Sequence, residues 1–126
     1  MNPELILLVE DDLNLRLSIA LILQRAGYTV TTTDCVHTAM DIVQSGDYKL
    51  LITDINMPET RNLLQPQVLD IYPSLSIVVL TDQPIPTIEN NTEGFQAHYL
   101  SKPIAPERLM DCVGSLMGKN GNCDDK

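Results

Sequence analysis

The chain has 126 residues, enough for one domain that buries about two thirds of its unfolded surface without help from disulfides. Eight basic against seventeen acidic residues give a formal charge of −9, which repels a phosphate backbone, so direct nucleic-acid binding by this chain is not expected. Cys35, Cys112 and Cys123 are odd in number and lack paired or metal-ligand spacing, and no stretch resembles a secretory leader or reaches membrane-spanning length, so a soluble protein of the reducing cytoplasm is expected.

The first apolar run, residues 5–9, reads as a buried strand that stops at Glu10-Asp11-Asp12. Asp12 can cap a helix over 13–26, which Gly27 can end in a left-handed turn. Counting along this helix separates two stripes. Leu15, Ile19, Ile22, Leu23 and Ala26 face a core, while Leu13, Leu17 and Leu21 follow i, i+4, i+8 on another, exposed face. A strand over 29–33 and a helix over 36–44 closed by Gly46-Asp47 come next, then a strand over 50–53 that delivers Asp54 at its end.

Beyond Pro58 the pattern weakens: Pro66 opposes a helix interior, so the third helix should be short, displaced and begin near Pro66. The strand over 76–80 ends at Thr81. Pro84 and Pro86 then oppose helix until Thr87, and the fourth helix should be short and late. A short strand over 98–100 leads into Ser101-Lys102-Pro103, and a last helix over 106–117 starts on Pro106 and stops at Gly118. Residues 119–126 lack apolar periodicity and read as a disordered tail or the start of a linker, leaving 1–118 as the domain. Alternation of this kind specifies an α/β fold, an open five-stranded parallel sheet with helices on both faces. In such sheets ligands bind at the carboxyl ends of the strands, where Glu10-Asp11-Asp12, Asp54, Thr81 and Ser101-Lys102-Pro103 lie.

Val9-Glu10-Asp11-Asp12, Thr53-Asp54-Ile55-Asn56-Met57-Pro58, Val79-Leu80-Thr81 and Tyr99-Leu100-Ser101-Lys102-Pro103, in this order, resemble the receiver domain of two-component response regulators from about Leu5 to Met117. The resemblance implies a (βα)5, flavodoxin-like sheet with strand order 2-1-3-4-5. It implies that Asp54 accepts a phosphoryl group from a sensor histidine kinase or phosphotransfer protein, and that the domain signals as a switch to a downstream effector rather than turning over a small substrate. The chemistry agrees, because a carboxylate attacks phosphorus only when the negative charge of donor and acceptor is neutralised. Mg²⁺ does this with a few hard oxygen ligands. By resemblance Asp11 and Asp54 bind it directly, the Asn56 carbonyl completes the protein's share and Glu10 acts through water. By the same resemblance Lys102 would contact the phosphoryl oxygens, Pro103 would follow a cis bond, Thr81 would be the switch hydroxyl and Tyr99 would turn inward behind it. The family uses its first helix to dock the kinase's helical bundle, so the resemblance implies that the Leu13, Leu17 and Leu21 face meets a partner, the alternative being a broadly apolar helix buried by a neighbour.

Two departures stand out. Asp82 occupies a position where the family places a small residue. At about 6 Å and an effective dielectric near 20, its carboxylate costs a phosphoryl charge roughly 2–3 kcal/mol. That is about one to two decades in rate. The altered fourth helix means that the family's dimer through that face is not carried over, and the oligomeric state stays open. Two rival readings follow. One is a degenerate receiver acting as a phosphorylation-independent interaction module. The other is a small Mg²⁺-dependent aspartyl-phosphate phosphatase, which generally needs a second aspartate where this chain has Asn56.

Overall fold

The computed structural model describes residues 5–57, 75–82 and 97–117. Five parallel strands, β1 (Leu5–Val9), β2 (Thr29–Thr33), β3 (Tyr48–Asp54), β4 (Ser76–Thr81) and β5 (His98–Ser101), form one sheet in the order β2-β1-β3-β4-β5. This is the strand order implied by the resemblance. The three central strands are the apolar ones, and the edge strands carry the polar residues: β2 reads Thr-Val-Thr-Thr-Thr and β5 His-Tyr-Leu-Ser. A strand buried on both faces must be apolar throughout, whereas an edge keeps contact with water.

Period-two alternation divides the central strands between two cores. Ile6, Leu8, Leu50, Ile52, Val78 and Leu80 pack with Ile19 and Leu23 of helix α1 (Leu13–Arg25) and with Leu109 and Val113 of the helix Pro106–Met117. On the opposite face Leu7, Val9, Leu51, Ile77 and Val79 meet Val36, Ala39 and Val43 of helix α2 (Val36–Ser45). Helices therefore cover both faces. Each of these buried leucine, isoleucine and valine side chains contributes up to roughly 1.5–3 kcal/mol by leaving water.

Local signals account for the element ends. The Asp12 carboxylate accepts hydrogen bonds from the Asn14 and Leu15 amides at 3.0 and 3.3 Å, capping α1. At the other end Gly27 adopts φ 101°, a left-handed conformation that glycine reaches without a Cβ penalty. There the Tyr28 amide donates to the Leu23 carbonyl and the Gly27 amide to Gln24, which satisfies carbonyls the helix would otherwise strand. Gly46 ends α2 in extended backbone, and a Cβ there would lie 2.8 Å from the Tyr48 ring. As the stripe count requires, Leu13, Leu17 and Leu21 are 55%, 56% and 48% exposed.

The strand boundaries differ slightly from expectation. β3 begins at Tyr48 rather than residue 50, because a register shift beside Leu5 lets Tyr48 pair with β1. β4 and β5 each extend one residue further, since Thr81 pairs with Ser101. The short third helix near Pro66, the late fourth helix and the tail at 119–126 lie outside the described residues. Among the described residues no helix is long and apolar enough to cross a membrane.

Thr53 is fully buried, flanked in register by Val9 and Val79, and its hydroxyl has no hydrogen-bond partner among the described residues. A buried hydroxyl without a partner opposes folding. Thr53→Val should raise stability by about 1 kcal/mol in urea unfolding, and a loss of that size would mean that the hydroxyl has a stabilising contact.

Candidate functional site

β1 and β3 are neighbours, with Val9 opposite Thr53, so the residues that follow, Glu10 and Asp54, emerge side by side at the carboxyl ends of the strands. One oxygen from each of Glu10, Asp11 and Asp54 lies within 4.8 Å of the others. Asp11 is exposed, whereas Glu10 is fully buried and Asp54 is 3% exposed. Charges this close and this dry require compensation.

Lys102 supplies part of it. Its Nζ donates to Asp54 Oδ2 at 2.7 Å and stands 3.5 Å from Glu10 Oε1. The lysine is positioned by its own backbone: the Lys102 amide donates to the Thr81 carbonyl at 2.7 Å, tying the loop after β5 to the end of β4, and the Lys102–Pro103 peptide bond is cis. Burial by itself would lower the Lys102 ammonium, but the hydrogen bond and charge of Asp54, with the nearby charge of Glu10, hold it above its ordinary value.

Backbone donors orient the carboxylates. The Asn56 amide reaches Asp54 Oδ1 at 2.9 Å, and the Asp12 amide reaches Glu10 Oε2 at 3.1 Å. Burial pushes the Glu10 carboxyl up to about 7 against the pull of the Asp12 amide; the charge of Asp54 adds to the rise and that of Lys102 opposes it. Glu10 Oε1 is buried and has no hydrogen-bond partner among the described residues, with the ammonium of Lys102 at the outer limit of contact. An orphaned buried oxygen beside two further carboxylates fits a small hard cation, because the donor set is all oxygen.

All of Glu10, Asp11, Asp54 and Lys102 are thus brought together. Thr81 is fully buried at the end of β4, next to the strand that bears Asp54. Tyr99 is half-buried and packs against the core on the α2 face. Met57 is buried in that same core. Two features were not apparent from sequence. Arg16 Nη1 donates to the Glu10 carbonyl at 2.7 Å, bracing the corner between β1 and α1. Its signal was a long donor on the first turn of a helix that starts at the site. Asn56 Nδ2 donates to Asp82 Oδ1 at 3.0 Å. Here the signal was register: Asp54 pairs with Leu80, and two residues further each way stand Asn56 and Asp82.

The sequence model described as "Response regulator receiver domain" matches residues 6–114. The chain is 35% identical over 113 residues to the response regulator receiver protein CpdR of Brucella abortus, a match covering 88% of this chain and 92% of that protein. It is 32% identical over 122 residues to the DNA-binding transcriptional regulator NtrC of Azospirillum brasilense. That alignment takes in 95% of this chain but only 25% of NtrC, so the chain spans about a quarter of the length of that relative. Among solved structures it is similar to the Vibrio cholerae chemotaxis protein CheY4, with a TM-score of 0.82 and 26% identity over 91% of this chain and 99% of that one.

Breaking a buried ion pair leaves an uncompensated charge, though the partial exposure of Lys102 softens the penalty. Lys102→Met should therefore destabilise the metal-free protein, and a double-mutant cycle with Asp54→Asn in urea should return a coupling of about 1–3 kcal/mol. A coupling of zero would mean that the short contact contributes nothing net.

Proposed function

The chain belongs to the response regulator receiver domain family, and from that membership we propose that Asp54 accepts a phosphoryl group and thereby works as a signalling switch. The observation that carries this reading is the nearly buried Asp54 carboxylate, in a three-carboxylate cluster and 2.7 Å from an ammonium. Asp54 attacks phosphorus through a carboxylate oxygen, the bond to the donor's leaving group breaks, and an acyl phosphate results. The Asn56 amide on Oδ1 fixes the carboxylate's orientation during that attack. Lys102 passes its hydrogen bond from Asp54 Oδ2 to a phosphoryl oxygen, so the ammonium follows the charge as it moves. Thr81, buried at the adjacent strand end, is the hydroxyl that reads the modification.

Glu10, Asp11, Asp54 and the Asn56 carbonyl would hold Mg²⁺. When bound, that ion neutralises the negative charge of acceptor and phosphoryl oxygens. The residues catalyse their own modification and its hydrolysis, which makes the domain a phosphoacceptor rather than an enzyme with a separate substrate. A sensor histidine kinase or phosphotransfer protein is the proposed donor, an effector domain or protein the proposed target, and the cytoplasm the proposed location. The rival reading, a receiver that works without phosphorylation, is favoured by one observation, the Asp82 carboxylate hydrogen-bonded to Asn56 beside the acceptor.

Incubation with phosphoramidate and Mg²⁺, read by intact mass, should add one phosphoryl group that Asp54→Asn or chelation of the metal abolishes. An unmodified wild type would favour the phosphorylation-independent module. The exposed Leu13, Leu17 and Leu21 face of α1 is the proposed kinase contact. With Leu17 and Leu21 both changed to Glu, transfer from the cognate kinase should fall about tenfold or more while circular dichroism stays native. Undiminished transfer would place the contact elsewhere.

A further inference from the structure

We propose that Asp82 determines which phosphoryl donors reach Asp54, acting as a fixed negative charge that discriminates against donors of higher charge. This inference rests on the acceptor role of Asp54. Its basis is the join between the β3 and β4 ends. Asn56 touches both carboxylates: its backbone amide donates to Asp54 Oδ1 at 2.9 Å and its side-chain amide to Asp82 Oδ1 at 3.0 Å. An exposed aspartate after a strand would otherwise swing into solvent. Here the clasp with Asn56 holds its charge above the strand ends, two hydrogen bonds from the acceptor.

Position gives that charge its effect. Asp54 is 3% exposed and paired with Lys102, and Asn56, which holds it, and Asp82, which Asn56 holds in turn, are both exposed to an approaching donor. Lys102 is paired with Asp54 and Glu10, and no ammonium or guanidinium among the described residues pairs with Asp82. A cation held by the carboxylate cluster attracts each donor in proportion to its charge, but it is common to the wild type and the Asp82 variants and cancels when their rates are compared. The Asp82 charge does not cancel, and its repulsion scales with the charge of the approaching molecule.

The two small donors that test this differ in charge. Acetyl phosphate is a dianion near neutral pH: an Asp54 oxygen bonds to phosphorus, the phosphorus–oxygen bond to acetyl breaks, and acetate leaves with the electron pair. Phosphoramidate is a monoanion with a protonated nitrogen: the same bond forms, the phosphorus–nitrogen bond breaks, and ammonia leaves with its protons and the electron pair. If Asp82 acts through charge alone, the factor by which it slows the dianion is the square of the factor for the monoanion.

Rates of Asp54 modification with each donor and Mg²⁺ are compared by intact mass for the wild type, Asp82→Asn and Asp82→Ala, at low and high salt. Asp82→Asn keeps the size of this exposed residue while removing its charge. It should speed acetyl phosphate about tenfold and phosphoramidate about threefold, with Asp82→Ala alike and the gap narrowing in salt. Modification of Asp82→Asn where the wild type takes none supports the same conclusion. Equal rates for wild type and both variants overturn the gate and leave the acceptor role standing. Acceleration by Asp82→Ala alone assigns the effect to bulk and overturns the charge argument. No modification of any of the three overturns the acceptor role and this inference together.

Discussion

The rest of the structure depends on one electrostatic constraint: three carboxylates within 4.8 Å of one another, two of them buried, at the carboxyl ends of adjacent strands. Such a cluster is unstable unless positive charge or oriented donors answer it. The protein uses both. Lys102 stands between Asp54 and Glu10, and the amides of Asn56 and Asp12 each hold one carboxylate oxygen. What is left over, a buried Glu10 oxygen with no hydrogen bond and a carboxyl pushed up to about 7, is the part of the cost that the side chains do not offset. A site that its own residues leave undercompensated fits the cation proposed for it.

The fold exists to keep that arrangement in place. A parallel sheet sends every strand end to the same rim, and the order β2-β1-β3-β4-β5 puts the three apolar strands in the centre. β1 supplies Glu10, β3 supplies Asp54 and β4 supplies Thr81, while the loop after β5 reaches back so that the Lys102 amide meets the Thr81 carbonyl. Two cores clamp these strands from opposite faces. Close packing of that kind resists small displacement, so the carboxylates cannot relax apart without disturbing Leu8, Ile52 or Leu80.

Much of this was readable in the residues, and the reasons are physical. β1, β3 and β4 were legible because a strand covered on both faces must be continuously apolar, and each run stops at the polar residue that the site uses. The α1 stripes were legible because the 3.6-residue period separates Leu13, Leu17 and Leu21 from Ile19 and Leu23. The beginning of β3 was not, since Tyr48 joins the sheet through a register shift that no local pattern encodes. Nor was the Asn56–Asp82 contact, which depends on the alignment of two strands that stand far apart in the sequence. Asp82 could be recognised as a departure from the family, but the partner that holds it could not. Arg16 was hidden for a related reason: its contact is with a backbone carbonyl, which carries no side-chain signature.

The central claim, that the cluster holds Mg²⁺ and Asp54 takes the phosphoryl group, is tested most directly by a crystal structure grown with Mg²⁺ and fluoroberyllate, a phosphoryl mimic. The account predicts the metal between Asp11, Asp54 and the Asn56 carbonyl at about 2.0–2.1 Å, the mimic on Asp54, and Lys102 shifted from the carboxylate to the mimic. Lys102 still paired with Asp54, and density for neither ion at the cluster, would contradict it.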